Sequence, residues 1–354
     1  MAVSKELANT IRKKKKTDKT IKRPLTEQER KERIKQWCTF YRRNPEIYAE
    51  QALGVKLRPF QRFWLHLMAR SQIFFAVASR GSAKTFLAGL LAIIECMLYP
   101  YSEVVITAST IEQARKIVDV KIKREIVGKL SPVLRYLELQ GLIVIKTSKD
   151  EAWVDFWNGS VINVLPCLDS SRGSRSTMLI LEECRLLKKG DVDSIFLPMS
   201  HPRQAKFMQL DKYSRNSIYL EEAKELYITS ARYSHEWWYR LVERIIEQSF
   251  KSVGAVYDFF MCDVYTSIAN GLKTRKDWEK IQQTANEIDI RAEYLNEVIG
   301  EVENAYFPLE LVSDCQSIRN AFRPTRDSDI SKGKAPKNKD KKSNEYRVIG
   351  VDFA

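Results

Sequence analysis

The sequence predicts an α/β protein in which a parallel sheet is covered by helices on both faces. Apolar β-type runs alternate with runs whose apolar spacing fits a helix. The run at 73–77 leads through a loop of small residues into a helical run that begins near Phe86. The run at 178–181 is apolar throughout, as expected of a strand buried on both faces. This alternation predicts a doubly wound sheet.

The other elements follow from apolar spacing and from turn residues. Further strands are predicted at 103–108, 141–147, 153–157, 160–165, 226–230 and 253–262. Helices are predicted at 27–36, 45–54, 57–69, 86–98, 111–130, 235–249 and 278–299. The pair Asn158-Gly159 predicts a tight turn between two strands, and Asp277 and Gly300 are expected to cap and end the last helix.

The loop at 79–83 is followed by Lys84 and Thr85, at the start of a predicted helix. In that position, successive backbone N–H groups and the helix N-terminus bind a polyphosphate. The Lys reaches the terminal phosphates and the Thr hydroxyl binds Mg²⁺. Ala78 and Ala83 replace the glycines of the usual pattern but still allow a close approach of the backbone. The alternative is a buried strand–helix corner with a chance Lys-Thr pair.

The strand at 178–181 leads into two adjacent carboxylates, Glu182 and Glu183. In a nucleotide-hydrolysing site, one carboxylate at such a strand tip holds the Mg²⁺ shell and the next polarises the attacking water. Acidic pairs also occur at ordinary helix starts. Together with the phosphate loop, however, the pair favours a P-loop NTPase core of the RecA/ASCE-like kind that hydrolyses ATP.

Composition indicates a basic intracellular protein. The 354 residues carry 59 Lys and Arg against 45 Asp and Glu, and a net charge of +14 predicts a polyanionic partner, most often nucleic acid. Part of this charge lies in Lys-rich stretches at 12–16 and 332–342, which are also typical of solvated tails. The six cysteines form no C-x-x-C pair, which argues against a zinc site and against secretion. The longest apolar helix, at 86–98, is too short to span a bilayer, so no membrane partner is expected.

Changes in composition suggest a division into five parts. Residues 1–36 are expected to be a basic flexible arm, 37–235 an ATPase core, and 236–320 a lid and linker subdomain. Residues 321–345 follow as a linker, and 346–354 as the first strand of another domain. Because the sequence stops just after an apolar run that carries Asp352, it is expected to be truncated inside that domain.

In this order, the motifs resemble those of the large subunit of tailed-bacteriophage terminase, the motor that packages DNA into capsids. The resemblance extends from about residue 57 to the end. The loop of Ser79, Arg80, Gly81, Ser82, Ala83, Lys84 and Thr85 resembles that family's deviant phosphate loop. The stretch 57–61 resembles its adenine-contacting segment, and 171–175 followed by 178–183 resembles its Arg-Gly-x-Arg stretch before the acidic strand. Two departures are Ala83, where the family usually has Gly, and Glu182, where it has Asp.

Other segments fit the same family. Thr229, Ser230 and Ala231 resemble its coupling motif, which senses the γ-phosphate, and 291–294 fits the helix before its linker. The stretch 348–354 resembles the first strand of its ribonuclease H-like nuclease, with Asp352 as the first metal-binding acid. A complete nuclease site would hold two divalent ions, Mg²⁺ or Mn²⁺. Because Asp352 alone cannot build that site, the 354-residue chain is expected not to cut DNA.

The resemblance also implies individual roles. Gln61 would read the adenine base, Lys84 would bridge the β- and γ-phosphates, and Thr85 would bind Mg²⁺ with Glu182 behind it. Glu183 would orient and deprotonate the water. Arg80 would sense phosphate in its own subunit, and Arg172 would reach into the site of a neighbouring subunit. The alternative for either arginine is a surface ion pair.

The implied partners are double-stranded DNA, a small terminase subunit, a capsid portal and further copies in a ring, in the cytoplasm of an infected bacterial host. Two other functions remain open from the sequence. A helicase-type nucleic-acid-dependent ATPase would require a second motor domain after the linker. A non-enzymatic basic DNA binder would leave the phosphate loop and the acidic strand unexplained.

Overall fold

The computed structural model describes residues 25–148, 151–167, 171–203, 221–251 and 256–300. Within these ranges, eight strands form one sheet in the order β3-β4-β5-β2-β6-β7-β1-β8. The strands are β1 (Ile73–Ala78), β2 (Glu103–Thr107), β3 (Ile143–Thr147), β4 (Ala152–Phe156), β5 (Val161–Val164), β6 (Met178–Glu182), β7 (Lys224–Thr229) and β8 (Tyr257–Cys262). The predicted α/β fold is therefore confirmed, and the strands predicted between residues 73 and 262 are present with different ends.

α-Helices of six or more residues are numbered α1 to α8 within the described ranges. They are α1 (Glu27–Arg43), α2 (Pro59–Arg70), α3 (Lys84–Leu98), α4 (Ile111–Lys116), α5 (Pro132–Leu139), α6 (Trp237–Lys251), α7 (Val264–Ala269) and α8 (Arg275–Thr284). A 14-residue π-helical segment, Ile117–Leu130, directly continues α4. Short helical or π-helical segments lie at Pro45–Ile47, Tyr48–Ala52, Cys184–Leu186, Lys189–Asp191, Val192–Phe196, Leu197–Met199, Glu287–Asp289 and Ile290–Tyr294. None of the described helices is both long and apolar enough to cross a bilayer.

The sheet is mixed, where the sequence predicted a parallel one. Strands β5, β2, β6, β7, β1 and β8 run parallel, but β4 is antiparallel to both β3 and β5. The connection from β4 to β5 is the predicted Asn158-Gly159 turn, in which Gly159 has a φ of 79°. A connection this short can join only antiparallel neighbours, since a parallel pair needs a long crossover.

Side chains that alternate along the central strands build a core on each face of the sheet. On β1, Phe74, Ala76 and Ala78 pack into one core, which also contains apolar residues of α2, α3 and α5. Phe75 and Val77 point into the other, where they meet Trp238 and Val242 of α6. Helices therefore cover both faces, as the buried runs predicted.

Strand β7 lies between β1 and β6, so the phosphate-loop strand and the acidic strand are not direct neighbours. All three run parallel, and their carboxyl ends therefore lie at the same edge of the sheet. The loop after β1, the acidic pair after β6 and the polar residues at the end of β7 converge there. In doubly wound sheets, ligands bind at this edge.

The helix predicted at 27–36 extends to Arg43, so the expected boundary of the arm at residue 36 falls inside α1. Thr26 caps this helix: its hydroxyl accepts a hydrogen bond from the Glu29 amide, and the Glu29 carboxylate accepts one from the Thr26 amide. At the other end, the Arg42 guanidinium donates to the Leu98 carbonyl, 2.7 Å away at the end of α3. This contact attaches α1 to the core.

The prediction of a single helix at 278–299 is wrong, because the structure divides this stretch into separate helical segments. Helix α8 is capped by Thr274, with Asp277 as the acidic partner of a capping box, so Asp277 is not the cap. It ends at Thr284, and Asn286 caps the next turn by accepting a hydrogen bond from the Asp289 amide. Two local capping signals thus divide the stretch, because each satisfies amide groups that begin a new helix.

Residue contacts divide the chain into two units, Met1–Gly300 and Glu301–Ala354. The sheet continues past residue 235, where a lid subdomain was expected to begin, because β8 pairs with β1 along its whole length. The predicted linker at 321–345 and the strand at 346–354 with Asp352 lie outside the described residues, as does most of the predicted arm.

Candidate functional site

Backbone hydrogen bonds hold the loop between β1 and α3. The Ser79 amide donates to the Cys262 carbonyl at 3.0 Å, and the Arg80 amide donates to the Glu293 carbonyl at 2.7 Å. Gly81 has a φ of 91°, and a Cβ atom at this position would lie 3.2 Å from Cε of Lys273. The backbone conformation therefore favours glycine here, and a Cβ atom would also require the Lys273 side chain to shift by a few tenths of an ångström.

Ala83 is also left-handed, with a φ of 68°, and it is the N-cap residue of α3. A residue with a Cβ atom in this conformation costs about 1 to 3 kcal/mol, and such strain concentrates at functional sites. Ala83 also has no side chain that could accept hydrogen bonds from the first amides of α3. These N–H groups, together with the positive end of the helix dipole, suit an anionic ligand.

A cavity of about 430 Å³ opens beside this loop. Among the described residues it is lined by Arg80, Gly81, Ala83, Lys84, Thr85, Phe86, Gln113, Lys121, Glu183, Arg185, Leu186 and Glu293. Four of these side chains are cationic and two are carboxylates. The cavity therefore combines a surplus of positive charge with a small number of placed acids.

Lys84 and Glu183 form an ion pair across the cavity, with Nζ and Oε1 2.8 Å apart. The Lys84 Nζ also donates to the Ala78 carbonyl at 3.4 Å. The other Glu183 oxygen, Oε2, accepts a hydrogen bond from the Thr229 hydroxyl at 3.4 Å. Residues predicted from three separate motifs are thus in direct contact.

The Thr85 hydroxyl donates a hydrogen bond to Oε1 of Glu182. The second Glu182 oxygen is buried and has no hydrogen-bond partner among the described residues. Burial, reinforced by the neighbouring Glu183 charge, raises the pKa of Glu182 to about 7. A buried carboxylate with an unpartnered oxygen beside a threonine hydroxyl fits a Mg²⁺ site, because this ion takes oxygen donors and is commonly held by one or two carboxylates plus substrate phosphates.

Glu183 has a left-handed backbone, with a φ of 47°, directly after β6. Burial acts to raise the pKa of its carboxyl group, but Lys84, Arg185 and a hydrogen bond from the Ser230 backbone together hold that pKa below the ordinary value. Glu183 is therefore ionised at neutral pH. An ionised carboxylate at the wall of a polar cavity is suited to accept a proton from water.

Residues 290–296, which we call the strand-end segment, lie across the carboxyl ends of β8, β1 and β7. The Asn296 side chain accepts a hydrogen bond from the Ala231 amide at 3.1 Å and donates to the carbonyls of Val77 at 2.5 Å and Cys262 at 3.3 Å. One buried amide side chain thus joins three neighbouring strands at the edge where the cavity lies.

Glu293 connects the strand-end segment to the cavity. Its Oε1 accepts a hydrogen bond from Nη2 of Arg185 at 2.8 Å, and its Oε2 accepts one from the Ser230 hydroxyl at 3.3 Å. Its backbone carbonyl accepts the Arg80 amide of the phosphate loop. A single residue therefore contacts the phosphate loop, the turn that follows the acidic strand and the predicted coupling motif.

Two predicted site residues lie elsewhere. The Gln61 carboxamide oxygen accepts a hydrogen bond from the Arg58 amide at 2.9 Å, as part of the cap of α2, and Gln61 is not among the described residues that line the cavity. Arg172 is exposed in the turn before β6 and is likewise absent from that lining. The roles assigned to them stay predictions.

Sequence reasoning assigned no role to Arg185, Lys273, Glu293 or Asn296. Arg185 lies two residues after Glu183 and was the one with a readable signal, because a cation close to paired carboxylates is a plausible partner. The others reach the site through contacts between residues 34 or more positions apart, such as Asn296 with Cys262 and with Ala231. No periodicity or capping pattern encodes such contacts.

The sequence matches no protein-family model and no curated protein. Among solved structures, the ATPase domain of the Thermus phage P74-26 large terminase is 16% identical, with a TM-score of 0.49, over 71% of this chain and 97% of that one. The chain is similar in structure to large terminases. The large terminase of the thermophilic bacteriophage D6E is 11% identical with a TM-score of 0.48, and that of bacteriophage HK97 is 16% identical with a TM-score of 0.48. These alignments cover 69% of this chain but only 54% and 51% of the D6E and HK97 proteins, so the chain spans about half of their length.

Proposed function

We propose that this chain is the ATP-hydrolysing part of a motor that moves double-stranded viral DNA into a procapsid, as in the large terminase subunit. The observation that carries the proposal is the meeting of Lys84, Thr85, Glu182, Glu183 and Thr229 at one edge of the sheet. These residues supply a cation for phosphate, a hydroxyl and a carboxylate for Mg²⁺, and an ionised base with a polar neighbour. Phosphoryl transfer needs this set, since its catalysis is mainly positioning and charge neutralisation.

The ion pair between Lys84 and Glu183 indicates how ATP would prepare the site. The triphosphate competes for the Lys84 ammonium group, because phosphate oxygens accept charge-assisted hydrogen bonds. Glu183 then loses its closest cation and is left to accept a hydrogen bond from the attacking water. Thr229, which donates to the same carboxylate, lies where it can respond to the presence of the γ-phosphate.

Mg²⁺ would neutralise charge on the β- and γ-phosphates, and Thr85 and Glu182 are the residues that would hold it. The direct test of the proposed activity is phosphate release from ATP by the purified protein, measured with and without DNA. If the protein does not bind or hydrolyse ATP either with or without DNA, a non-enzymatic DNA-binding function would describe it better.

DNA binding is expected to show little sequence preference and a steep dependence on salt, because Lys and Arg side chains displace counterions from the phosphate backbone. The net charge of +14 supports this expectation. Deletion of residues 1–24, which leaves α1 intact, should lower the slope of log K against log [salt] if the basic N-terminal stretch contributes. Titration of labelled duplex DNA at several salt concentrations measures both slopes, and an unchanged slope would assign this stretch no part in binding.

We further propose that the motor acts as a ring in which Arg172 reaches the site of the neighbouring subunit. Its exposure and its separation from the cavity of its own chain support this role. Mixing Arg172→Ala with Lys84→Ala should then restore part of the ATPase rate that each variant lacks alone, since some interfaces would combine an intact loop with an intact finger. Rates that remain at the sum of the two separate variants would argue against action in trans.

The remaining parts of the proposal concern the whole protein. They are a portal and a small terminase subunit as partners, the cytoplasm of an infected bacterium as location, and a metal-dependent endonuclease that begins near Asp352. Co-purification with those two partners tests the first part. Cleavage of plasmid DNA in Mg²⁺ or Mn²⁺ by the protein with its complete nuclease domain tests the last.

A further inference from the structure

The carboxylate proposed as the base lies next to a second cation besides Lys84. Nε of Arg185 is 3.9 Å from Oε2 of Glu183, which is too long for a hydrogen bond. Its Nη2 is instead 2.8 Å from Oε1 of Glu293. Arg185 thus lies between two carboxylates and is bound to the one that belongs to the strand-end segment.

The guanidinium is largely enclosed, with 15% of the Arg185 side chain exposed and 17% of that of Glu293. The Nε atom of Arg185 is buried and has no hydrogen-bond partner among the described residues. A charged donor that remains unpaired in such surroundings is strongly drawn to any nearby acceptor. Apart from Glu293, the carboxylate that the structure places near this Nε atom is Glu183, through its Oε2 atom.

A third acid near Arg185, Asp289, already forms an ion pair with another arginine. Asp289 interacts electrostatically with Arg185, but its carboxylate is bound by Nη1 of Arg232 at 2.6 Å. Glu183, by contrast, gives up its partner Lys84 once phosphate takes that ammonium group. The attraction between Arg185 and Glu183 is therefore greatest in the nucleotide-bound state, in which Glu183 must be free to accept a water molecule.

We propose that Glu293 is a positioning residue that holds Arg185 away from Glu183, so that ATP hydrolysis depends on the strand-end segment remaining in place. This inference rests on the proposed function, because it assigns Glu183 as the base. If the segment moves away from the phosphate loop, Arg185 closes on Glu183 and occupies the oxygen that would accept the water proton.

The test is a double-mutant cycle of Arg185→Ala and Glu293→Gln, read as ATP turnover and as binding of a fluorescent ATP analogue. Glu293→Gln removes the charge that holds Arg185 and should lower kcat on the order of 10-fold, with KM changed less than about 2-fold, because an interaction needed only for the chemical step is lost. Adding Arg185→Ala should restore kcat to the level of Arg185→Ala alone. A purely structural role for Glu293 predicts instead that the two losses add.

Two further variants act as controls. Glu293→Asp keeps the charge and should retain most of kcat. Glu247→Gln removes an exposed carboxylate that pairs with Lys251 on α6, away from the cavity and the strand-end segment, and should leave kcat unchanged. Glu183→Gln, assayed in parallel, separates the assignment of Glu183 as the base from the positioning role of Glu293. A normal rate in that variant refutes the base assignment itself. If Glu183→Gln is inactive and Glu293→Gln keeps its kcat, only the positioning role of Glu293 is refuted.

A crystal structure of Glu293→Gln supplies a readout that does not depend on turnover. The Arg185 guanidinium is expected within about 3 Å of a Glu183 oxygen, the distance of a charge-assisted hydrogen bond. A guanidinium that turns towards solvent, or that stays beside Gln at position 293, would overturn the proposal.

Discussion

Replacement of Lys84 by alanine is expected to abolish ATP hydrolysis and to weaken nucleotide binding. The side chain is the cation at the start of α3, 2.8 Å from Glu183, and it is placed to move onto the terminal phosphates. Loss of one such charge-stabilising donor typically costs on the order of 10²–10³-fold in rate. Phosphate release and binding of a fluorescent ATP analogue, measured side by side, separate the effect on the chemical step from the effect on affinity.

A matched control is Lys116→Ala, which removes an exposed lysine whose partner is Glu112, one turn away on α4. It should keep the parent rate. Because Lys84→Ala also leaves Glu183 without its closest cation, thermal unfolding of both variants is needed to show that the lost activity is not lost folding. Equal turnover by Lys84→Ala and the parent protein would remove the phosphate loop from the proposed site.

Glu183→Gln is expected to preserve ATP binding while lowering turnover by on the order of 10²–10⁴-fold, the contribution of a positioned general base. The amide keeps the shape of the side chain but accepts no proton. It also loses the ion pair with Lys84, which leaves that ammonium group more available to phosphate. Bound ATP should therefore persist, and quench experiments that follow single turnovers will show nucleotide retained as ATP.

The roles of the two adjacent acids are distinguished by the same assay. Glu182→Asp should be mild or even beneficial, since it keeps the carboxylate and introduces the residue that the sequence resemblance implies for this position. If Glu182→Gln traps bound ATP while Glu183→Gln does not, the base and the Mg²⁺ ligand are assigned the wrong way round. The buried position of Glu182 and its hydrogen bond from Thr85 favour Glu182 as the Mg²⁺ ligand and Glu183 as the base.

Much of the fold was readable from local pattern. The apolar runs of β1 and β6, the loop of small residues and the Lys84-Thr85 pair lie within short windows, where periodicity and chain geometry act directly. Burial of both faces of these strands in turn predicted the helical layers. The ends of helices were predicted less accurately. The stretch predicted as one helix is broken after α8, because capping by Thr274 and Asn286 outweighed the continuous helical pattern.

The candidate site likewise contains residues that local sequence predicted and residues that only the folded structure revealed. Lys84 and Thr85 were predicted from the loop between a strand and a helix, and Glu182 and Glu183 from their place at the tip of a buried strand; such strand ends lie at one edge of a doubly wound sheet. Thr229 was predicted from the family resemblance. The antiparallel β4, the cap formed by Gln61, and the contacts of Glu293 and Asn296 emerged only from the folded chain. Those contacts join residues such as Asn296 and Val77, 219 positions apart. Such pairs form because packing of the whole sheet places unpaired backbone groups beside a side chain that can satisfy them, and no local sequence window contains both partners.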